Sequence, residues 1–462
     1  MKDRSSPYLD LVQKILTGLA RIRMEAGAWL DSESEEQERE TQVFKIGECL
    51  RPFYLASQDS PSVFQQYELP REALYKDTEF FLKQISRTGF FPSPYSSIAG
   101  SIDQYTDFAA FVLEFSELLH DFWQDGSARG NRILESNLST ATRALDFLLS
   151  PDTCLIDEDG CRWGGTNKSQ RMRKTQEIYT DTYFTSVVVL ALNRTLNSKV
   201  LNLGSARKEE IRKKIRLSGK WIADRFDGQF IAGDENKSNR KLLYTTWGLR
   251  ALVETHEVQD KATAKKLQPI TNAYLDELRR HREFTYEQAY LTVLSEEVDQ
   301  PLYYEDRSGL GGLLLTLASL RTLSELEHLL EETGYARLLE RVFNSVLTLR
   351  NPGTGLWYNQ QLILSLHSYL TEAFLMLDRQ AKGIGTKLEI SGYMIRNAVK
   401  ETLTDETVIN TLQQAVYDRL LLLIESTDQG RTIEQGINEF AATAASGTKR
   451  RRKRTTSGRV KK

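Results

Sequence analysis

Along this chain, segments with a single apolar stripe alternate with segments that are apolar almost all round. The spacing predicts a first helix over 7–30, with Leu9, Leu11, Val12, Ile15 and Leu19 on one face. Ser6 before Pro7 reads as an N-cap with proline in the first turn. Two more helices follow near 42–57 and 70–87. From there a cycle sets in, and its first loop, "GFFPSPYSSIAGSI", leads into an apolar helix at Tyr105. A striped segment at 132–150 then places Ile133, Leu138, Ala141, Leu145 and Leu148 on one face. The Gly- and aromatic-rich "PDTCLIDEDGCRWGG" follows it, and then the apolar "YTDTYFTSVVVLAL". The next striped segment, 208–226, repeats Ile211, Ile215 and Ile222 and leads through the loop 227–241 to "YTTWGLRAL". A fourth cycle ends in Leu310, Leu313, Leu314, Leu317 and Leu320, and a fifth in "LILSLHSYLTEAFLML".

A helix apolar all round is buried, whereas a striped one shows its other side to water. Strict alternation of the two kinds therefore gives an inner and an outer layer. The period of roughly 60–75 residues exceeds the 30–45 of open solenoids, which favours a closed ring. The expected fold class is all-α: an α/α toroid of about five to six helical hairpins spanning 70–384. N-terminal helices (1–69) precede it, and a C-terminal helical module (385–446) and a disordered basic tail (447–462) follow it. Three inner segments open alike, with Tyr105-Thr106-Asp107, Tyr179-Thr180-Asp181 and Tyr244-Thr245-Thr246. In this reading Thr and Asp meet the unpartnered amides of a first helical turn, Tyr sits at a rim, and Asp107 is the counterpart of Asp181.

"DGCRW" followed by "YTDTYFTSVVVLAL" resembles the repeat of the terpenoid cyclase and protein prenyltransferase superfamily, the α/α toroid, over about 70–380. The resemblance implies the fold. It would also imply a zinc site of Asp, Cys and His, or an Asp-x-Asp-Asp acid, and neither pattern is met. Only Asp181 and His367 fall on inner helices without a Cys partner, and His367 reads as a satisfied helix histidine. "DEDG" at 157–160 reads as a turn. No metal and no cofactor is expected. In "SGLGGL", Gly309, Gly311 and Gly312 read as close helix packing rather than a phosphate loop.

With 40% apolar and 27% charged residues, the composition is that of a globular protein. No apolar run is long enough for a membrane span, and the start lacks the core of a secretory signal. Three cysteines favour free thiols in a reducing compartment over a Cys154–Cys161 bridge. The expected location is cytoplasmic, or nuclear in a eukaryotic host. Net charge is −2, but residues 447–462 carry nine Lys or Arg and no acid, so the body is strongly acidic. Lys449, Arg450, Arg451, Arg452, Lys453 and Arg454 form a candidate site for nucleic acid or an acidic partner.

The outer-to-inner loops collect acids and aromatics that would share one mouth. Candidate catalytic acids are Asp181, Asp107, Glu305 and Asp306. Candidate rim residues are Trp163, Tyr179, Tyr183, Tyr244, Trp247, Tyr303, Tyr304, Trp357, Tyr358 and Glu372. With no catalytic motif, the functional expectation is a non-catalytic adaptor with a protein partner and a nucleic-acid-binding tail. An accessory component of a prokaryotic system, such as antiviral defence, fits that character. The alternative is a carbohydrate- or isoprenoid-active enzyme using carboxylates at the toroid mouth.

Overall fold

Apolar patterning sorts the helices of the computed structural model into two sets. It describes residues 6–26, 42–65, 69–88, 106–165, 180–233, 242–281, 310–351, 354–359, 361–362 and 364–384. The apolar set comprises α2 (Gln42–Asp59), α5 (Thr106–Trp123), α7 (Thr182–Thr195), α9 (Leu242–Glu254), α11 (Leu310–Leu320) and α14 (Leu364–Ile384). All of α11 and every residue of α9 from Leu242 to Val253 are buried. The striped set comprises α1 (Pro7–Ala26), α4 (Arg71–Thr88), α6 (Ala128–Leu149), α8 (Ser205–Asp224), α10 (Lys261–Arg280) and α13 (Tyr335–Thr348). Short helices α3 (Pro61–Phe64) and α12 (Glu327–Glu332) sit in connections.

Inner helices pack in chain order, α2 on α5, α5 on α7, α7 on α9 and α9 on α11. The ring closes where α11 packs against α14 at Gly311 and where Arg51 of α2 pairs with Glu372 of α14. The outer set closes likewise. Arg23 joins α1 to Asp77 of α4, Lys214 joins α8 to the Leu149 carbonyl of α6, and Tyr8 of α1 meets the Phe343 ring of α13. This is the expected α/α toroid. Helices α1 and α2, which the sequence pattern set apart in 1–69, supply one of its hairpins. Residues Met1–Arg379 form one compact unit and Gln380–Lys462 a second, of which only the end of α14 is described. The expected module at 385–446 and the tail lie outside the described residues. Among the described residues, no helix is long and apolar enough to cross a membrane.

Local rules hold well at the helix starts. Ser127 caps α6 by accepting from the Gly130 N–H, and Asp260 caps α10 by accepting from Thr263. The striped faces hold at Ile211, Ile215 and Ile222. Leu138 is a correction: it is 46% exposed, and Asn137 takes the buried position, donating to the Ser116 carbonyl. Five residues from Ile133 to Leu138 overshoot a helical turn, while Asn137 falls on it.

The loops that enter the inner helices stitch the ring. Residues 151–165 contain a hairpin of β1 (Cys154–Asp157) and β2 (Gly160–Trp163), where the sequence pattern had shown only a loop. Gly160 has φ +145, and a Cβ there would meet the Leu217 carbonyl at 2.6 Å. A second short hairpin pairs β3 (Tyr358–Asn359) with β4 (Gln361–Leu362). Trp163 N–H donates to Thr185 Oγ1, Ile231 N–H to Thr245 Oγ1 and Trp357 N–H to His367 Nε2, at 3.1, 2.9 and 3.0 Å. One and two residues further on, the first two of these loops turn to the preceding inner helix. Thr106 binds the carbonyls of Gly164 and Gly165, and Thr182 those of Ala232 and Gly233. The structural equivalent of Thr106 is therefore Thr182, not Thr180. Asp107 consequently matches Tyr183 rather than Asp181, which corrects the alignment drawn from Tyr-Thr-Asp.

Gly311 gives a stability test. A Cβ at this position would meet Tyr369 Cβ at 2.8 Å on the neighbouring inner helix. Gly311→Ala is expected to lower unfolding free energy by about 1–3 kcal/mol in urea melts, because neither backbone can retreat within a closed ring.

Candidate functional site

The inner ring encloses a pocket. Glu48, Asp107 and Glu114 bring carboxylates to it, Phe111, Tyr183, Trp247 and Tyr369 bring rings, and Arg51, Arg250 and Ser368 complete its polar lining. Asp107 and Tyr183 stand in the first turns of α5 and α7, so the pocket begins at the N-terminal end of the inner helices. Glu114, Arg51 and Arg250 lie deeper. Asp107 accepts from the Phe108 N–H at 2.8 Å. Trp247 meets Tyr183 and Tyr369 edge-on at 5.5 and 5.4 Å, and the Arg250 guanidinium lies 5.3 Å from its ring centre.

Beneath the pocket lies a cluster of three guanidinium and three carboxylate groups. Arg51 contacts Glu372 at 2.6 Å and Glu114 at 3.5 Å. Arg194 contacts Glu372 at 2.7 Å, Glu114 at 3.0 Å and Glu254 at 3.6 Å. Arg250 contacts Glu254 at 2.7 Å and Glu372 at 3.3 Å. Burial by itself would push the Glu372 carboxyl up, but Arg51, Arg194 and Arg250 overcome it and hold the carboxyl well below the usual range.

Of the expected site residues, the structure brings Asp107, Tyr183 and Trp247 together in the pocket. Glu372 is drawn off the rim into the charge cluster beneath. Asp181 is the N-cap of α7, accepting from Tyr183 and Phe184 N–H at 2.6 and 3.4 Å, and does not line the pocket. Trp163 and Trp357 are core residues, each donating its indole N–H to an outer-helix carbonyl, Leu148 and Val346. Tyr244 is buried beneath Gly233. Tyr179, Tyr303, Tyr304, Glu305 and Asp306 lie outside the described residues, as do 449–454 and the side chain of Tyr358. Sequence reasoning missed Glu48, Arg51, Glu114 and Arg250. They sit inside helices rather than in loops, and the available signal was a charge interrupting an otherwise apolar face. Among the described residues, no group of three or more His, Cys, Asp or Glu is placed to hold a metal ion. His367 is a satisfied helix histidine, accepting from Trp357 N–H.

No protein-family model and no curated protein matches the sequence. Solved structures do match in fold. A family 76 glycoside hydrolase from a bovine Bacteroides thetaiotaomicron strain superposes with TM-score 0.50 at 10% identity, over 81% of this chain and 78% of its own. A D-mannose isomerase gives TM-score 0.48 at 12% identity, over 82% and 100% of the two chains. A possible GH105 member from Salmonella enterica gives 0.47 at 13%, over 82% and 96%. At 10% identity the likeness to the family 76 structure shows the fold alone, and it supports the toroid rather than anything particular to terpenoid cyclases or prenyltransferases. The expectation of a non-catalytic, defence-associated adaptor is corrected here. The structure that superposes at TM-score 0.50 is a glycoside hydrolase, and nothing in the comparison supports an adaptor, protein-binding or nucleic-acid-binding role.

Removing one member of the charge cluster strands the others. Glu372→Gln is expected to cost about 3–5 kcal/mol, since buried Arg51 and Arg250 and half-buried Arg194 would then share two carboxylates. The pH dependence has a definite sign. The folded pKa of Glu372 is depressed, so its contribution is complete above the unfolded value of about 4.3 and is lost as pH falls through the lower folded value. Urea melts between pH 3 and 7 should show a shallower acid loss in the variant than in the native chain.

Proposed function

We propose that this chain is a carbohydrate-active enzyme whose site is the pocket within the inner ring, with Asp107 and Glu48 as its working carboxylates. The convergence of those two acids with Tyr183, Trp247 and Tyr369 supports this reading. Glycoside chemistry needs one carboxyl to protonate the leaving oxygen and a second to act as nucleophile or to activate water. The rings of Tyr183, Trp247 and Tyr369 offer apolar surface to a sugar face, and the polar lining offers hydrogen bonds to hydroxyls. An isoprenoid chain would lie against Arg51, Arg250 and Glu114, so the polar floor favours a sugar over a hydrocarbon.

A panel of oligosaccharides, read by product release and by ligand-induced rise in melting temperature, tests the proposal. Asp107→Asn and Glu48→Gln should each lower turnover at least about 10³-fold while the fold persists. Asp181→Ala should instead cost about 0.5–2 kcal/mol of stability through its lost cap and leave turnover measurable. A panel without a substrate, or equal turnover in native chain and both pocket variants, would refute the reading.

A further inference from the structure

Away from the pocket, the β1–β2 hairpin holds a second grouping of reactive side chains. Cys154 and Cys161 lie on opposite strands with their Sγ atoms 2.9 Å apart, and both are buried free thiols. In the strand register Cys154 faces Trp163 and Ile156 faces Cys161, so the pair is diagonal. The strong twist of a two-stranded ribbon brings such a diagonal pair together. From α8 the buried Lys214 reaches the same spot, its ammonium donating to the Leu149 carbonyl at 3.3 Å. The two thiols are unequal. A hydrogen bond from Cys161, with help from Lys214 and against burial, lowers the Cys154 thiol, while burial pushes Cys161 well up.

The hairpin's position gives the pair its consequence. The end of β2 and the two residues after it anchor two inner helices. Asp181 N–H donates to the Trp163 carbonyl at 3.1 Å, and Thr106 N–H to the Gly165 carbonyl at 3.1 Å. A covalent link across the hairpin would act on the starts of α5 and α7 together.

We propose that Cys154 and Cys161 are a modification site, an oxidisable dithiol that a hydroperoxide converts to an intrachain disulfide bracing the hairpin against α5 and α7. The Cys154 thiolate attacks a peroxide oxygen and the O–O bond breaks. Cys154 becomes a sulfenic acid, and the departing oxygen takes a proton and leaves as water, or as an alcohol from an organic peroxide. Cys161 sulfur then attacks Cys154 sulfur. The S–S bond forms, the S–O bond breaks, and the hydroxyl leaves as water with the Cys161 proton. Two thiols lose two electrons and two protons, and the peroxide is reduced. This site is independent of the sugar-active reading.

The test uses the full chain treated with hydrogen peroxide, then unfolded, alkylated and weighed. The reduced chain should label at three cysteines and the oxidised chain at Cys49 alone, with a 154–161 crosslinked peptide. Melting temperature should rise by about 2–4 °C on oxidation and return with dithiothreitol. Hydrogen exchange at the Thr106 and Asp181 amides should slow in the oxidised form. Cys161→Ser should stop at a sulfenic acid on Cys154 that dimedone traps, and Cys154→Ser should give neither product. Three labelled thiols after oxidation, or a crosslink that recruits Cys49, would overturn the site. A 154–161 disulfide that leaves melting and exchange unchanged would overturn the bracing. If a serine variant unfolds, the native chain compared oxidised and reduced still decides.

Discussion

Six charges at the centre of the inner ring set the register of everything around them. Arg51 comes from α2, Glu114 from α5, Arg194 from α7, Arg250 and Glu254 from α9, and Glu372 from α14. Of the six inner helices only α11 contributes none, and it is uncharged and buried throughout. Apolar helix faces pack well in several rotations and heights, because dispersion and burial are not directional. A guanidinium is directional, and its fork meets a carboxylate only when both helices stand at one height and one rotation. Burying such a cluster yields little net stability, since apolar replacements of similar volume often do as well. What it supplies is alignment across five helices far apart in sequence.

The loops do the complementary work at the N-terminal end of the inner helices. Each described loop gives an amide N–H to the inner helix that follows and, in two cases, carbonyls to the inner helix before it. Threonine is the recurring partner because its hydroxyl both donates and accepts, so one residue type serves both roles. His367 replaces it on α14 through an imidazole nitrogen that accepts the same N–H. Neighbouring helices are thus tied by backbone at their start and by charges further along, midway on α2, α5 and α14 and in the last turn of α7 and α9.

Much of the ring was legible in the sequence, because burial on all sides and burial on one side leave different periodicities. The striped helices declared themselves through Ile211, Ile215 and Ile222, and the inner ones through the leucines of α11. The site was less legible, for a physical reason. The conspicuous Asp181 sits where local chain geometry needs a cap, so its motif reports on helix starts rather than on chemistry. Trp163 and Trp357 stand out in Gly-rich loops but spend their indole N–H groups on outer-helix carbonyls. Glu48 and Glu114 look unremarkable in sequence, since a single charge in an amphipathic segment usually faces water. Their meaning depends on which helices stand opposite, and only ring closure determines that.

The shifted alignment of Thr106 with Thr182 carries this further. Were Asp107 the equivalent of Asp181, it would be one cap among several, present because each hairpin needs one. Matched instead to Tyr183, it holds a position whose side chain points into the pocket, where the repeat does not dictate its identity. Repetition builds the wall, and departures from repetition are the positions that the proposed activity draws on. Asp107 is such a departure, a carboxylate where the next hairpin has a phenol. Glu48 brings the second acid from α2, the inner helix that Arg51 locks to α14 where the ring closes. The two acids therefore reach the same pocket by independent routes, one through a loop-stitched helix start and one through the charge cluster.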